Sequence, residues 1–405
     1  MRISVREERN SQFVIRRAVI HAARGPLELF YEISGDVLPP PLEVHDFAIV
    51  AAIFAAMREG RPVHIEGPVT ETLLRNLEEF QEAWALWRRG FRPVQIIADQ
   101  VVSSQESASR RGVFAVSGGV DATFALLRHH GGHAGLRTIR PVCAMLVHGF
   151  DIPLRARDAF DHAHRSISDV TSILGIPLAT VRTNWREVLC REWTMEYHLA
   201  LAAALFQFRG LANVGVSGAC EDYGHLVLPW GSNPVTNPLL AGGGFDFHTE
   251  GGGFTRTDRV HLICNYPEVA AKLRICWEGP MTGGNCGHCE KCIRTKLNFM
   301  ANGLEPLCFD ARPTQLEILR LTTGNVAQLA MLKELVASAR KNGVTDQWTT
   351  MLKLAIAKNR LALPARSLQA RIFRKLRSLS GRLTHTATGS TVRASVARTS
   401  EQGKR

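Results

Sequence analysis

Four cysteines, Cys276, Cys286, Cys289 and Cys292, fall within seventeen residues in the spacing C-x9-C-x2-C-x2-C. Thiolates two residues apart bend around one tetrahedral ion, and a glycine such as Gly287 permits the knuckle between them. Four soft ligands favour Zn2+, and a full set leaves no open coordination position, so the site reads as structural. An iron–sulfur cluster is the rival, because tight CxxCxxC runs also hold clusters, and His288 inside the run could replace one thiolate. The chain has nine cysteines in all. An odd number in a long chain argues against a disulfide framework.

A second group of residues could bind anions. Residues 113–127 read VFAVSGGVDATFALL: an apolar strand, the turn Ser117-Gly118-Gly119-Val120-Asp121, and then a helix. Two glycines let backbone approach an anion closely, and a helix start offers free N–H groups at the positive end of the helix dipole. Asp121 would repel phosphate unless it caps the loop or helps hold Mg2+ beside a polyphosphate. Neither GxxxxGK nor GxGxxG is present, so this is neither a Walker A loop nor a dinucleotide fingerprint. A chance Gly-Gly turn is the plain alternative, and the position between strand and helix counts against it.

The elements that must position these groups follow from the patterning. Residues 1–105 read as a smaller α+β domain. It has strands over 13–22, 27–33, 61–65 and 93–98, a helix over 47–58 capped by Asp46, and a helix over 70–89. Leu73, Leu77, Phe80, Trp84 and Trp87 recur at helical spacing and predict core packing. Residues 103–111 are polar and read as a linker. Strands over 112–116, 141–148, 178–182 and 213–217 then alternate with helices over 120–130, 155–174 and 195–209. That alternation predicts an α/β fold, a doubly wound, Rossmann-like parallel sheet with helices on both faces, over 110–310. Residues 229–257 read as one long Gly-, Pro- and Asn-rich loop. Helices over 316–321, 326–339 and 348–357 form a helical extension over 311–365, and 366–405 a basic tail whose end is expected to be disordered.

The net charge of +12 is located rather than spread. Residues 360–405 hold eleven Lys or Arg against one acid, Glu401, so that tail supplies +10 of it and the body is nearly neutral. The stretch 366–382 is basic and amphipathic and could lie on an anionic membrane or contact RNA. The longest apolar run is the eleven residues 47–57, too short to span a bilayer. The first ten residues, MRISVREERN, carry no apolar signal core, so the expected compartment is the cytoplasm.

The turn Ser117-Gly118-Gly119-Val120-Asp121 resembles the SGGxDS pyrophosphate loop of the PP-loop ATP pyrophosphatase superfamily. That superfamily includes asparagine synthetase, GMP synthetase, tRNA thiolation enzymes and 7-cyano-7-deazaguanine synthase. Ala122 stands where the motif ends in serine, and Thr123 follows. Cys276 followed by Cys286-Gly287-His288-Cys289-Glu290-Lys291-Cys292-Ile293-Arg294 resembles the zinc signature of 7-cyano-7-deazaguanine synthase and its relatives. The resemblance rests on two motifs about 160 residues apart in the right order, over roughly residues 110–300.

The resemblance implies ATP as substrate, with Ser117, Gly118, Gly119, Val120, Asp121 and Thr123 around its phosphates and the backbone of Leu146 and Val147 at its adenine. It also implies Mg2+ with the nucleotide and Zn2+ on the four cysteines. Arg256 would stabilise charge on the phosphates with Asp121. The implied reaction is an AMP- and pyrophosphate-forming ligation. A substrate oxygen attacks the α-phosphorus, pyrophosphate leaves, and ammonia or an amine displaces AMP. The loops after the strands carry Arg186, Glu221, Asp222, Ser232 and Asn233 as candidates for the second substrate. The expected partners are a small-molecule or peptide acid, an ammonia donor and a second copy in a homodimer. Two other readings stay open: a non-catalytic nucleotide-binding protein, because of Ala122, and an RNA-modifying enzyme that uses the basic tail.

Overall fold

The structure is a computed structural model that describes residues 1–103, 110–276, 282–324 and 326–362. The central part of the linker, the basic amphipathic stretch and the terminal tail lie outside the described residues. Ten strands form one sheet: β1 (Arg2–Arg9), β2 (Phe13–Ala22), β3 (Gly25–Gly35), β4 (Val63–Thr70), β5 (Ile96–Val102), β6 (Arg111–Ala115), β7 (Arg140–His148), β8 (Leu178–Thr183), β9 (Val214–Gly218) and β10 (Asp246–Glu250). Their order across the sheet is β10-β9-β6-β7-β8-β3-β2-β1-β4-β5. The pairings among β10, β9, β6, β7 and β8 are all parallel, and β3 joins β8 antiparallel, Tyr31 opposite Thr183 through Gly35 opposite Ala179. The fold is therefore α/β with a mostly parallel central sheet. The strands of residues 1–105 and those of 110–310 share that sheet.

The helices of the body are α1 (Asp46–Glu59), α2 (Glu71–Trp87), α3 (Val120–His130), α4 (Arg157–Ile173), α5 (Trp185–Val188), α6 (Trp193–Leu205), α7 (Arg256–Cys264), α8 (Pro267–Ala270) and α9 (Glu290–Met300). Neighbouring residues of the central strands divide between two cores. Val113, Cys143, Met145, Ala179 and Val181 pack with residues of α1, α2 and α6. Phe114, Ala144, Leu146 and Leu178 pack with residues of α3, α4 and α7 to α9. Side chains alternate between the faces of a strand, so a strand apolar at every position must be covered on both sides. That is why the middle of β7, Val142 to Val147, reads as a continuous apolar run.

Several local readings meet corrections. Asp46 does not cap α1 with its side chain; His45 holds the cap position, and Asp46 is buried in the first turn. Its carboxylate accepts from Thr70 N (2.9 Å) and Thr70 Oγ1 (2.7 Å), and Thr70 in turn caps α2. One buried acid thus fixes the start of the next helix. β1, which forms a hairpin with β2, carries a weak strand signal because five of the eight residues of RISVREER are charged. The long loop 229–257 contains β10, an edge strand whose DFHTE has little apolar signal. Beyond the body, a second unit spans Gln315–Val336 and Thr345 onward. It holds α10 (Gln315–Arg320), most of α11 (Val326–Lys341) and a helix over 347–362. Within it Asn359 accepts from Thr323 N and donates to Leu321 O and Ala355 O, at 2.8 to 2.9 Å. Among the described residues no helix is long and apolar enough to cross a membrane.

Candidate functional site

The chain order of the strands reverses between β6 and β9, which are neighbours in the sheet. Crevices outside the carboxyl ends of such strands are where open α/β sheets bind ligands. The Ser117–Asp121 turn leaves the end of β6, and Gly218 ends β9 beside it. A Cβ on Gly218 would lie 2.4 Å from the Asp121 backbone, so only glycine lets β9 approach the first turn of α3 this closely. Gly118 has φ +77°, a left-handed conformation suited to glycine. Ser117 Oγ accepts from Gly119 N at 3.3 Å. Thr123 N is the first α3 amide to bond back, to Gly119 O. The N–H groups of Val120, Asp121 and Ala122 precede it at the open end of the helix.

Asp121 is the electrostatic centre of the turn. Its Oδ2 accepts from Arg256 Nη2 at 2.6 Å, and its Oδ1 from Arg259 Nη1 at 2.6 Å and Arg256 Nε at 3.3 Å. Burial pushes the Asp121 carboxyl up, but the two guanidinium groups outweigh it and hold it below the ordinary range. Arg259 is fully buried and also donates to Ala219 O and Gly251 O. Both arginines are presented by α7, whose start is fixed by a reciprocal capping box between Thr255 and Asp258. Both Asp121 oxygens are engaged by guanidinium N–H groups, so the donor set does not fit Mg2+.

Ser117, Gly119, Val120, Asp121 and Ala122 line a shallow depression with Arg256, Ile275, Lys291 and Thr295. Lys291 and Thr295 lie one helical turn apart on α9. Burial, then the neighbouring Arg256, lowers the Lys291 pKa. Among the described residues its ammonium has no hydrogen-bond acceptor and no carboxylate within ion-pair distance, and Asp151 reaches it only through space. Arg274 donates to Ser117 O at 3.3 Å, and its backbone N–H to Gly118 O at 2.8 Å. Asp121 answers two arginines and Glu290 answers Arg294, while among the described residues Arg274 and Lys291 have no ion-pair partner. The depression therefore carries surplus positive charge, and burying such charge is costly unless an anion compensates it.

The four cysteines converge as their spacing predicts. Their sulfurs all lie within 4.8 Å of one another, with Cys276 to Cys289 at 3.8 Å and Cys286 to Cys292 at 3.9 Å. A tetrahedron with metal–sulfur bonds of about 2.3 Å has edges of about 3.8 Å, so the set fits one zinc ion. An iron–sulfur cluster would hold the sulfurs farther apart. Gly287, at φ +77°, makes the knuckle, and Cys289 N donates to Cys286 Sγ at 3.4 Å. Burial raises the Cys286 thiol pKa, but backbone N–H groups from His288 and Cys289 outweigh it and bring it to about 6. Asn285 ties the arms: it accepts from Ile275 N and Cys276 N and donates to Leu273 O and Cys308 O. The knuckle borders the depression, because Ile275 precedes Cys276, and Lys291 lies between Cys289 and Cys292.

The other sequence-predicted residues fall around this centre. Thr123 is buried and lines a separate apolar hollow with Val116, Leu126 and Ile167; Thr295, whose hydroxyl donates to Lys291 O, lines the depression instead. Leu146 and Val147 lie near the end of β7, where pairing with β6 stops at Ala115 opposite Met145, so that edge continues past its neighbour. Arg186 donates to Phe150 O and stacks on Trp193 at 4.5 Å, a wall position. Glu221 accepts from Val227 N, and Asp222 from Gly224 N and His225. Ser232 and Asn233 stabilise their own loop through Asn237, Thr236 and Trp230. Sequence reasoning missed Arg259, Arg274, Lys291, Thr295 and Gly218. Lys291 inside the cysteine run was the one legible signal.

A second convergence, His129, His248 and Glu250, also has metal-like spacing. His129 Nδ1 accepts from Ile139 N, which leaves the proton on Nε2, the atom facing Glu250 at 3.1 Å. A protonated nitrogen is no metal ligand. With Arg128 at 3.2 Å, the cluster is the compensation of a buried carboxylate. No protein-family model, no curated protein and no solved structure matches this chain.

Proposed function

We propose that the chain is an ATP-dependent, AMP- and pyrophosphate-forming ligase of the PP-loop type, similar to 7-cyano-7-deazaguanine synthase. It would adenylate a carboxylate or amide oxygen for attack by ammonia or an amine. The observation that carries this reading is the surplus positive charge at the Ser117–Asp121 turn, at the point where the strand order reverses. The order β10-β9-β6-β7-β8 runs 5-4-1-2-3 in chain order, which supports the reading as a doubly wound, Rossmann-like sheet.

In this reading the amides of Val120, Asp121 and Ala122 meet phosphate oxygens. Lys291 neutralises the departing pyrophosphate, and Arg256 stabilises charge at the α-phosphorus. Asp121 holds Arg256 and Arg259 in place and so acts as a positioning residue. The chemistry needs no side-chain nucleophile, because positioning and charge neutralisation supply the rate. Zinc on Cys276, Cys286, Cys289 and Cys292 would cross-link the arms that carry Ile275 and Lys291.

The test follows the fate of α-labelled ATP incubated with zinc-loaded protein, magnesium, ammonium and an extract of small molecules. AMP formed by the wild type and not by Lys291→Met or Asp121→Ala supports the ligase. ATP binding that Lys291→Met weakens, with no AMP formed on any extract or peptide acceptor, favours the non-catalytic nucleotide-binding reading. The observation behind that second reading is Ala122 in place of the motif serine.

A further inference from the structure

The loop after β9 stands out by what it exposes. Tyr223, Leu226, Val227, Leu228 and Val235 are all exposed, with Tyr223 at 61% and Val235 at 49%. They come from thirteen consecutive residues. Isolated exposed apolar residues need no explanation, whereas a concentration of them marks an interaction surface. The loop is built rather than loose. Cys220 Sγ lies 3.0 Å from Tyr197 Oη, and Gly231 N donates to Thr194 O while packing on the Tyr197 ring. Both ends of the segment 220–231 thus rest on one tyrosine of α6, the closed neck of an Ω-shaped loop. Glu221 holds Val227 by its amide, and Tyr223 N donates to Gly252 O, three residues before the cap of α7.

The neck also touches the site. Cys220 O accepts from Arg256 Nη2 at 3.4 Å, the guanidinium that pairs with Asp121. The neck of the loop is therefore tied to the crevice through Arg256. The depression is lined chiefly by polar and charged groups and includes none of the loop's apolar residues. A small apolar ligand would need a concave pocket. The segment 219–236 contains two acids, Glu221 and Asp222, and no Lys or Arg. That charge disfavours anionic lipid surfaces and nucleic acid, which select for basic segments.

We infer that the loop 220–231 is a docking surface for a polypeptide, a neutral or basic segment with apolar side chains, which presents its reactive group to the crevice beside Arg256. This deepens the proposed function by naming its acceptor class, and it rests on that reading.

The test uses the full, zinc-loaded chain and random dodecapeptides displayed on phage, with Leu226→Ser/Val227→Ser/Leu228→Ser as the counter-selection target. These side chains are exposed, so the variant should fold; unchanged thermal unfolding and binding of a non-hydrolysable ATP analogue verify it. Enriched peptides should be apolar and neutral or basic. Synthetic copies should bind the wild type about tenfold or more tightly than the variant, the scale of two or so buried side-chain carbons. Peptides that bind both proteins equally, or no enrichment, overturn the inference. So does variant-sensitive binding to phosphatidylcholine–phosphatidylglycerol vesicles in place of peptides. Selective peptide binding by a chain that neither binds the analogue nor forms AMP would keep the docking surface and remove the ligase reading. Analogue binding and AMP formation without peptide selectivity would do the reverse.

Discussion

Two regions of one sheet bury arginine in opposite ways. Among β1 to β5, Arg16 is fully buried and donates to Glu7 Oε2, Gln207 O and Pro40 O at 2.6 to 2.7 Å. Every direction of its guanidinium meets an acceptor within the chain, so it closes a joint and asks for nothing else. At the ends of β6 and β9, Arg256, Arg259 and Lys291 gather around Asp121, and Lys291 has no acceptor among the described residues. Satisfied buried charge is architecture. Surplus half-buried charge favours a ligand, because its partial desolvation is uncompensated until an anion arrives.

That contrast can be broken in several ways, beginning with the four-cysteine knuckle that frames the surplus. Removing zinc, by chelation or by Cys292→Ser, should have the largest effect, since structural zinc sites are worth on the order of 10 kcal/mol in isolated modules. The expected outcome is a large drop in the thermal midpoint, one zinc per chain lost by metal analysis, and loss of nucleotide binding. An unchanged midpoint would remove the knuckle as the frame of the depression.

The arginines come next. Arg16→Met and Arg259→Met should each destabilise by about 3 kcal/mol in urea, because each strands buried acceptors. Only Arg259→Met should also weaken ATP-analogue binding, by releasing Asp121 and Arg256. Equal loss of binding in both would erase the distinction between the regions.

A pH series separates the regions again. Glu250 lies below the ordinary carboxylate range: burial raises it, but His129, His248 and Arg128 overcome that. Its folded pKa is therefore lower than its unfolded value of about 4.3. The stabilisation is present above the unfolded pKa and is lost as pH falls through the folded one. Asp46 is opposite, raised by burial against its bonds to Thr70, so ionising it favours the unfolded chain as pH rises. Stability measured from about pH 3 to 7 should lose part of its acid-side fall in Glu250→Gln. In Asp46→Asn it should lose part of its neutral-side penalty, and identical pH profiles in the two variants would refute the contrast.

The smallest stability effect is the sharpest test. Lys291→Met removes a cation that has no ion-pair partner among the described residues, so stability should stay within about 0.5 kcal/mol or rise. Nucleotide binding should fall at least tenfold. A strongly destabilised Lys291→Met would mean that the ammonium has a structural partner and the surplus is only apparent.

Features that depend on local spacing were legible in the chain alone. β2, α3 and the four-cysteine knuckle lie where periodicity and motif placed them, because strand alternation, helix start and thiolate spacing are properties of a few consecutive residues. The loop Ser117–Asp121 was legible for the same reason. Only tertiary structure decided that β3 pairs with β8 and joins both segments in one sheet, because edge pairing across 150 residues leaves no mark on either strand. It also decided that Asp121 is held by two arginines rather than left free for magnesium, and that Thr295 rather than Thr123 reaches the depression. Those outcomes depend on where α7 and α9 settle against β6. Charge compensation is set by distance in space, and distance in space is what a linear sequence does not carry.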